Sequence, residues 1–576
     1  MHSFSNKEIS DMLSEYTDLM KIFDENKYRV RAYDNASRIV SDRTIDLEKM
    51  VKEDNLEEIN GIGEGIAGTI KDIFEKGYCE ELEELREQLP AGFEELLNIP
   101  GLGPKTAGKF LEEMEIKNID DLKKALQNKE VRKLKGMGAK TEENLLEALK
   151  EYEEYTNYIN LDQALKTSEK LIEKLKENSD EILKIETAGS TRRKKIKIGD
   201  IDILISVKNK KDHNLLETIR NLAEIQDILL EGETKISART TEGLQVDFRM
   251  VTDEEYPAAL MYFTGSKYHN VRLRQIAKDK NYKLNEYGVF EDDKRLDADS
   301  EAEIYELLDL KYIEPEIRED KGEIEAAQND DLPNLITIDD IQGDFHVHSN
   351  YSDGALSIEE MVKAAKERGY KALAFTDHSQ SLNIANGLSV ERVKKQWKEI
   401  EEVRENHPDF LILKGIEVDI KKDGTLDYDD EILSGFDLVI ASVHNNFNLP
   451  ADEMTNRIVK AMKNPHIDIL GHPTGRMLGN RTPFEFDYDK VLETALENDV
   501  ILEINASPSR FDLNDEMAMD AIRSGVKLTI NTDAHHPDQY NYMEYGIYIA
   551  RRAWAENDNI INTYGPEQLK KQFEVN

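Results

Sequence analysis

The sequence predicts a multidomain protein with an all-α N-terminal region, an α+β centre and a C-terminal α/β barrel of distorted (βα)7 type. Apolar residues recur at three and four spacing through roughly the first 150 positions, for example Ile9, Met12, Leu13, Tyr16, Leu19, Met20 and Phe23, which is the period of amphipathic helices. The first strand-like runs, KIETAGS, DIDILISV and LQVDFRMV, come after residue 180. Beyond residue 343, helical segments alternate with seven short apolar runs: DFHVHS, ALAFTDH, LILKGIEVD, LVIASVH, IDILGHP, VILEIN and LTINTDAH. That alternation marks repeated βα units around a parallel sheet.

Length and composition bound the function classes. A chain of 576 residues has room for about four domains of ~150 residues. An apolar content of 39%, arranged periodically, excludes a wholly disordered chain. Cys79 is the one cysteine, which excludes a disulfide framework and a four-cysteine zinc module. The start, MHSFSNKEISDML, is polar and acidic, unlike a signal peptide, and no run approaches the ~18–20 apolar residues of a membrane span. A soluble, cytoplasmic monomer with no membrane partner is expected. The net charge of −42 argues against a nucleic-acid partner, but net charge speaks to solubility and not to individual sites. Two windows reverse it: Arg192, Arg193, Lys194, Lys195 and Lys197, and then Lys267, Arg272, Arg274, Lys278, Lys280 and Lys283 with Asp279 the lone acid.

The helical region, residues 1–90 and 91–154, carries three Gly-apolar-Gly turns: Gly61-Ile62-Gly63, Gly101-Leu102-Gly103 and Gly136-Met137-Gly138. Each follows an apolar residue two positions earlier (Ile59, Ile99, Leu134) and precedes a helix. Glycine lets the backbone reach positive φ and approach a phosphate closely, with helix N-terminal amides pointing at it. These turns resemble the helix-hairpin-helix motif, which implies sequence-independent DNA backbone binding at Gly61, Gly63, Gly101, Gly103, Gly136 and Gly138. The run from Gly63 to Gly68 also satisfies G-x-G-x-x-G, but it follows a polar helical stretch with no βαβ unit around it, so it is no dinucleotide site.

In the centre, residues 155–250, Gly189-Ser190 closes a strand-like run ahead of Asp200-Ile201-Asp202. Aspartates two apart on a strand project from one face and can hold divalent ions, with Asp247 the candidate third carboxylate. D-x-D alone is weak. With a Gly-Ser turn, arginines and a third Asp it becomes a nucleotidyltransferase signature, the turn amides and Arg193 holding a triphosphate. The stretch AGSTRRKKIKIGDIDILI…VDFRM…LMYFTGSKYHN resembles the palm and thumb of family X DNA polymerases, with 91–154 as fingers and 251–318 as thumb. The resemblance implies catalytic Asp200, Asp202 and Asp247 with Mg²⁺ or Mn²⁺. It further implies nucleotide contacts at Gly189, Ser190, Arg193, Tyr262, Phe263, Gly265 and Asn270, a Tyr-Phe-x-Gly-Ser turn that includes Ser266, and a template contact at Arg274. Members of that family often carry a lysine-dependent 5′-deoxyribose phosphate lyase in the N-terminal domain; the aligned position here is Thr69, with Lys71 on a different helical face. From Glu314 to Asp331 eight acids face two bases, with Pro315 and Pro333 in and just after that run, so residues 319–342 read as an acidic linker and 314–333 as a flexible hinge.

Nine of the twelve histidines fall in residues 343–576. His346 and His348 share one face of a strand, while Asp353, His378, Glu417, His444, His472, Asp533 and His535 close successive strands or their loops. In βα barrels that rim is the active-site end. Imidazole and carboxylate suit zinc or manganese, and nine ligands are enough for two or three ions. The motifs HVHS, FTDH, GIEVD, SVH, GHP and NTDAH resemble those of the PHP (polymerase and histidinol phosphatase) domain over 343–576. The resemblance implies a trinuclear Zn²⁺ or Mn²⁺ site: His346, His348, Glu417 and Asp533 on one ion, Glu417, His444 and His472 on a second, and Asp353, His378 and His535 on the third. A hydroxide held between two ions would then attack a phosphoester.

Together the resemblances imply a prokaryotic-type family X polymerase with a C-terminal PHP nuclease. It would fill short gaps in nicked or gapped DNA with dNTPs in base excision repair, trim 3′ ends as a 3′→5′ exonuclease, and possess AP-endonuclease or 3′-phosphatase activity. Two alternatives are a PHP domain that binds metal as a non-catalytic scaffold, and a palm acting on small molecules beside a small phosphatase.

Overall fold

The computed structural model describes residues 4, 6–40, 47–59, 61–90, 92–99, 101–156, 158–210 and 214–575. They form two compact units, Met1–Thr156 and Asn157–Asn576. No helix among the described residues is long and apolar enough to cross a membrane.

The first unit is all helical. In Asn6–Ile22 the residues Ile9, Leu13, Tyr16 and Met20 are buried, as their spacing requires, against Tyr33, Ala36, Ile70, Phe74 and Phe110 of later helices. Gly108, in Pro104–Met114, lets that helix touch the first, since a Cβ there would sit 2.2 Å from the Ile22 carbonyl oxygen. The three glycine turns are built alike. Ile62, Leu102 and Met137 each donate N–H to the carbonyl three residues back, on Ile59, Ile99 and Leu134. The first glycine of each turn has φ of +100°, +81° and +93°, where a side chain is strained. Gly63 and Gly103 then cap the helices Glu64–Lys76 and Pro104–Met114.

The second unit starts with a short pair of strands, β1 (Ile159–Asn160) and β3 (Lys197–Ile198). Its main central sheet comprises β2 (Ile182–Thr187), β4 (Ile201–Val207), β5 (Ile225–Glu231), β6 (Lys235–Thr240) and β7 (Gln245–Val251) in the order β2-β4-β7-β6-β5. The β4–β7 pair is parallel and the other pairs are antiparallel. The helix Leu161–Asn178, closed at its N-terminus by an Asn160–Gln163 capping box, buries Leu161, Leu165, Leu171 and Leu175. Beside its helices, the stretch 255–312 holds an antiparallel sheet of β8 (Tyr282–Asn285), β9 (Gly288–Glu291) and β10 (Lys294–Leu296). These strands are three or four residues long, so any alternation in them is too short to register.

The barrel consists of β11 (Gly343–Val347), β12 (Ala372–Phe375), β13 (Leu411–Asp419), β14 (Leu438–Ser442), β15 (Ile469–Leu470), β16 (Ile501–Asn505) and β17 (Leu528–Asn531). All seven are parallel and neighbours in sequence order, and a Val347–Ala534 bridge brings the first and last together. On β13 and β14, inward positions are apolar at the start of the strand and polar at its end. Leu411 and Leu413 lead to Glu417, and Leu438 and Ile440 lead to Ser442 and His444. Leu569 and Phe573, from the last helix, join this inner apolar layer and close the floor.

The stretch 319–342 is not an exposed linker, and 314–333 is not a bare hinge. Arg318 is fully buried, donates to the Ile313 carbonyl at 2.9 Å and to Glu301 at 2.7 Å, and lies over Tyr305 and Tyr312. Glu323 is equally buried and accepts from His269, at 2.6 Å, and from the amides of Asp320 and Lys321. Three of the acids that suggested a solvated segment, Glu316, Glu319 and Glu323, serve instead as partners of Arg551, Arg193 and His269, which a charge count cannot reveal. The segment runs on into one continuous apolar core shared by the central sheet and the barrel.

Candidate active sites in the central sheet and the barrel

An open cleft of about 600 Å³ lies over β4 and β7. It is lined by Gly189, Ser190, Arg193, Asp200, Asp202, Asp247, Tyr262, Phe263, Gly265, Asn270 and Arg274, and thus gathers the catalytic and nucleotide-contact residues expected from the sequence. Asp202 and Asp247 face each other in the parallel register. Gly189 opens a one-turn helix with φ +57°, and a Cβ on it would fall 2.2 Å from Asp202 Oδ2. A glycine is therefore needed to let that carboxylate approach the turn. Burial, then repulsion from Asp200 and Asp247, raises Asp202 to about 7, while burial and Asp247 raise Asp200. Burial pushes Asp247 the same way, but hydrogen bonds from Lys235 and Ser237 override it and leave it lowered. Three mutually repelling carboxylates in one cleft fit a divalent cation.

Lys235, which the sequence did not single out, stands 2.5 Å from Asp247 Oδ2, and Arg249 lies over the Phe263 ring at 4.3 Å. On the opposite wall, Asn270 donates to the Tyr262 carbonyl at 2.7 Å. Arg193 donates through Nη1 to the Thr264 carbonyl, and a Cβ on Gly265 would meet that nitrogen at 3.1 Å. In the first unit, a Cβ at Gly63, Gly101, Gly103, Gly136 or Gly138 would meet nothing within 4 Å, so the backbone there is open to close approach. Gly61 differs, because Ile39 packs where its Cβ would go. Thr69 shares a hydrogen bond with Tyr33, and Lys71 pairs with Asp54 at 2.8 Å.

At the barrel rim the structure brings the nine expected ligands together. Among the described residues three groups have ligand atoms within 4.8 Å of one another, all of them in the barrel: His348, Asp353, His378 and His535; His346, His348 and Asp533; and His378, Glu417 and His444. Glu417 is the hub: its Oε1 lies 2.9 Å from His472 Nε2 and 3.1 Å from His444 Nε2, and its Oε2 lies 2.7 Å from His378 Nδ1. His348 and His378 each bridge two groups, which the resemblance did not imply. The nitrogens His346 Nε2, His348 Nε2 and His378 Nδ1 and the oxygen Glu417 Oε2 are buried without a hydrogen-bond partner. Orphaned donors and acceptors converging on one point are costly unless a cation satisfies them, so this set fits metal ions. Burial, then the neighbouring His535 and His378, push His348 down to about 3, which keeps it neutral and able to ligate. Backbone geometry at the rim is unusual too: His472 has φ +26° and Asp533 φ +55°.

A second set of carboxylates orients these ligands, and the sequence did not reveal it. Glu503, wholly buried on β16, accepts from His346 Nδ1 at 2.7 Å and from the His472 amide at 2.6 Å. Asp419 takes His444 Nδ1 at 2.5 Å. Asp377 receives the Ser349 and Ser352 amides and so shapes the loop that carries Asp353. Such partners fix which ring nitrogen faces the metal. A charged residue inside the apolar run VILEIN was the available signal for Glu503. Arg510 lies 3.5 Å from Asp533 and places a positive charge beside the cluster.

Comparisons with known proteins agree with this layout. Family models match for a helix-hairpin-helix domain (residues 4–79), a SAM-like helix-hairpin-helix tandem (93–151), a DNA polymerase beta thumb (259–319) and a PHP domain (344–507). The DNA polymerase/3′-5′ exonuclease PolX of Bacillus subtilis is 39% identical over 560 residues, 96% of this chain and 97% of its own length. DNA polymerase lambda of Rattus norvegicus is 25% identical over 45% of this chain and 48% of its own length. A probable phosphatase of Thermoanaerobacter sp. is 33% identical over 38% of this chain and 89% of its own length. With near full-length similarity to PolX, and with polymerase beta thumb and PHP models both matched, the chain belongs to the family X DNA polymerases that carry a C-terminal PHP domain.

Proposed function

We propose that this protein fills short gaps in DNA during base excision repair and trims 3′ ends as a 3′→5′ exonuclease, acting as a cytoplasmic monomer on nicked or gapped duplexes with dNTPs. The observation that carries the reading is two separate metal-competent carboxylate sites on different sheets of one compact unit. We assign 155–250 to the palm, 251–318 to the thumb and 343–576 to the nuclease, with 319–342 as a packed seam between them.

In the palm, Asp200, Asp202 and Asp247 would hold Mg²⁺ or Mn²⁺, which lowers the barrier to attack of the primer 3′-hydroxyl on the α-phosphate. The Gly189-Ser190 amides and Arg193 receive the triphosphate. Tyr262 and Phe263 wall off the sugar, Asn270 meets the base and Arg274 follows the template. The open turns at Gly63, Gly101, Gly103, Gly136 and Gly138, together with Gly61, grip the DNA backbone without reading sequence. In the barrel, the nine ligands would hold two or three Zn²⁺ or Mn²⁺ ions, which supply a nucleophilic water and Lewis-acid stabilisation. Glu503 and Asp419 hold His346 and His444 with Nε2 turned inward, and Arg510 offers charge to the phosphate.

A primer-extension gel on a 5′-labelled, one-nucleotide-gapped duplex with Mn²⁺ tests this. Extension with dNTPs and a shortening ladder without them are expected, the first lost in Asp200→Ala and the second in His346→Ala. Extension with no ladder would leave the barrel a scaffold. Abasic-site and 3′-phosphate substrates in parallel lanes test the two further activities.

A further inference from the structure

The helix Met543–Arg552 belongs to the barrel, yet its last residue reaches the palm. Arg552 Nη1 donates to the backbone carbonyl of Arg193 at 2.7 Å, to the Glu316 carbonyl at 3.2 Å and to Glu319 Oε1 at 3.2 Å. The same Glu319 oxygen accepts Arg193 Nε at 3.0 Å. On its far side Arg552 is anchored by Nε and Nη2 to Asp515 at 2.9 and 2.7 Å. The result is an alternating chain, Asp515–Arg552–Glu319–Arg193, that begins on a barrel helix and ends in the nucleotide cleft. It is shielded from water: the side chains of Arg552, Glu319 and Arg193 are 3%, 15% and 12% exposed. Although burial pushes Glu319 upward, Arg193 and Arg552 together hold it below the usual carboxylate range, so it remains charged between them. Two neighbouring contacts run in parallel, Lys194 over the Tyr548 ring at 4.5 Å and Arg551 on Glu316 at 2.8 Å.

We propose that Arg552 and Glu319 are positioning residues for polymerisation, holding the Arg193 guanidinium in place for the incoming triphosphate, so that the nuclease barrel is a working part of the nucleotide site. The proposal rests on the reading of Arg193 as a triphosphate contact. A planar guanidinium binds phosphate well only when its plane is fixed, and each charge-assisted bond that fixes it is paid for before the nucleotide arrives. Arg193 donates one such bond to the Thr264 carbonyl of the thumb and one to Glu319, and its own carbonyl accepts from Arg552.

The test is gap filling by the full chain with titrated dNTP, for Arg193→Gln, Glu319→Gln, Arg552→Met and Arg552→Lys, with exonuclease rate and thermal melting read on the same preparations. Glu319→Gln and Arg552→Met should each raise KM for dNTP roughly three- to tenfold with kcat changed by less than about twofold, the net scale of one ordinary hydrogen bond, since each acts on the nucleotide only through Arg193. The double variant should be no worse than about the poorer single, because both act through one chain. Exonuclease rate should be unchanged, and Arg552→Lys should recover part of the loss. If Arg193→Gln raises KM and the other variants leave it alone, the positioning role is refuted. If Arg193→Gln itself leaves KM unchanged, the Arg193 reading fails, which is a separate result. If kcat, exonuclease rate and melting temperature all fall together, the contact is structural glue and the proposal is overturned. Should Arg552→Met fail to fold, Glu319→Gln and Arg552→Lys decide.

Discussion

Gly189→Ala should separate the two activities cleanly. At φ +57° an alanine pays roughly 1–2 kcal/mol for the left-handed conformation. Its Cβ would also lie 2.2 Å from Asp202 Oδ2, whereas ordinary contact begins near 3.4 Å, so the carboxylate must retreat by 3.4 − 2.2, or 1.2 Å. A displacement of about 1 Å in a reacting constellation costs about 10²-fold, which is roughly 2.7 kcal/mol in the barrier. Gap-filling kcat should therefore drop about a hundredfold, with melting lowered by only a few degrees. The exonuclease, on another sheet, should be unaffected. Single-turnover nucleotide incorporation beside exonuclease rate on one preparation measures both. A folded variant that keeps kcat within about threefold of the parent would refute the claim that this glycine exists to admit Asp202.

Glu503→Gln weakens the hold on His346 and His472, so barrel metal affinity should fall about 10–100-fold in chelator competition, with polymerisation unchanged. Asp468, near the barrel floor, is raised to about 7, chiefly by burial. An acid whose folded pKa is raised costs nothing below its unfolded value near 3.8, and costs progressively more as pH climbs through 7. Asp468→Asn, which keeps an acceptor for the Val439 amide, should thus stabilise by about 1–2 kcal/mol at pH 8 and by almost nothing at pH 4, read from denaturant melts. Ending the chain at Asn334 removes Arg552, which donates to the Arg193 carbonyl, and strips the palm of the core it shares with the barrel. Size-exclusion chromatography should find that fragment aggregated or weakly active; a monomer with full gap-filling activity would contradict the shared core.

Much of both sites was legible because their signals are short-range. Asp200 and Asp202 lie two apart, and alternation in QVDFRM placed Asp247 on the facing strand. Six strand ends supply the histidines and acids of the rim, so the barrel could be read from where its polar residues fall. Lys235, Glu503, Asp419 and Arg552 were illegible for the opposite reason. Their partners are 12, 157, 25 and 359 residues away in sequence, and nothing local distinguishes a carboxylate on the surface from one clamped by a distant histidine. The segment 319–342 misled for the same reason, since Glu319 and Glu323 look like solvated charge until their partners Arg193, Arg552 and His269 are seen.

The rim ligands come from β11, β12, β13, β14, β15 and β17 or the loops that follow them, while Glu503 on β16 grips His346. The staves of this barrel are therefore hooped by whatever the ligands bind. Metal shortage would loosen the whole upper rim at once, whereas the palm aspartates lie on or beside strands held by backbone pairing and by an apolar core. A cell starved of the rim metal would keep a protein that extends DNA ends after it has ceased to cut them back.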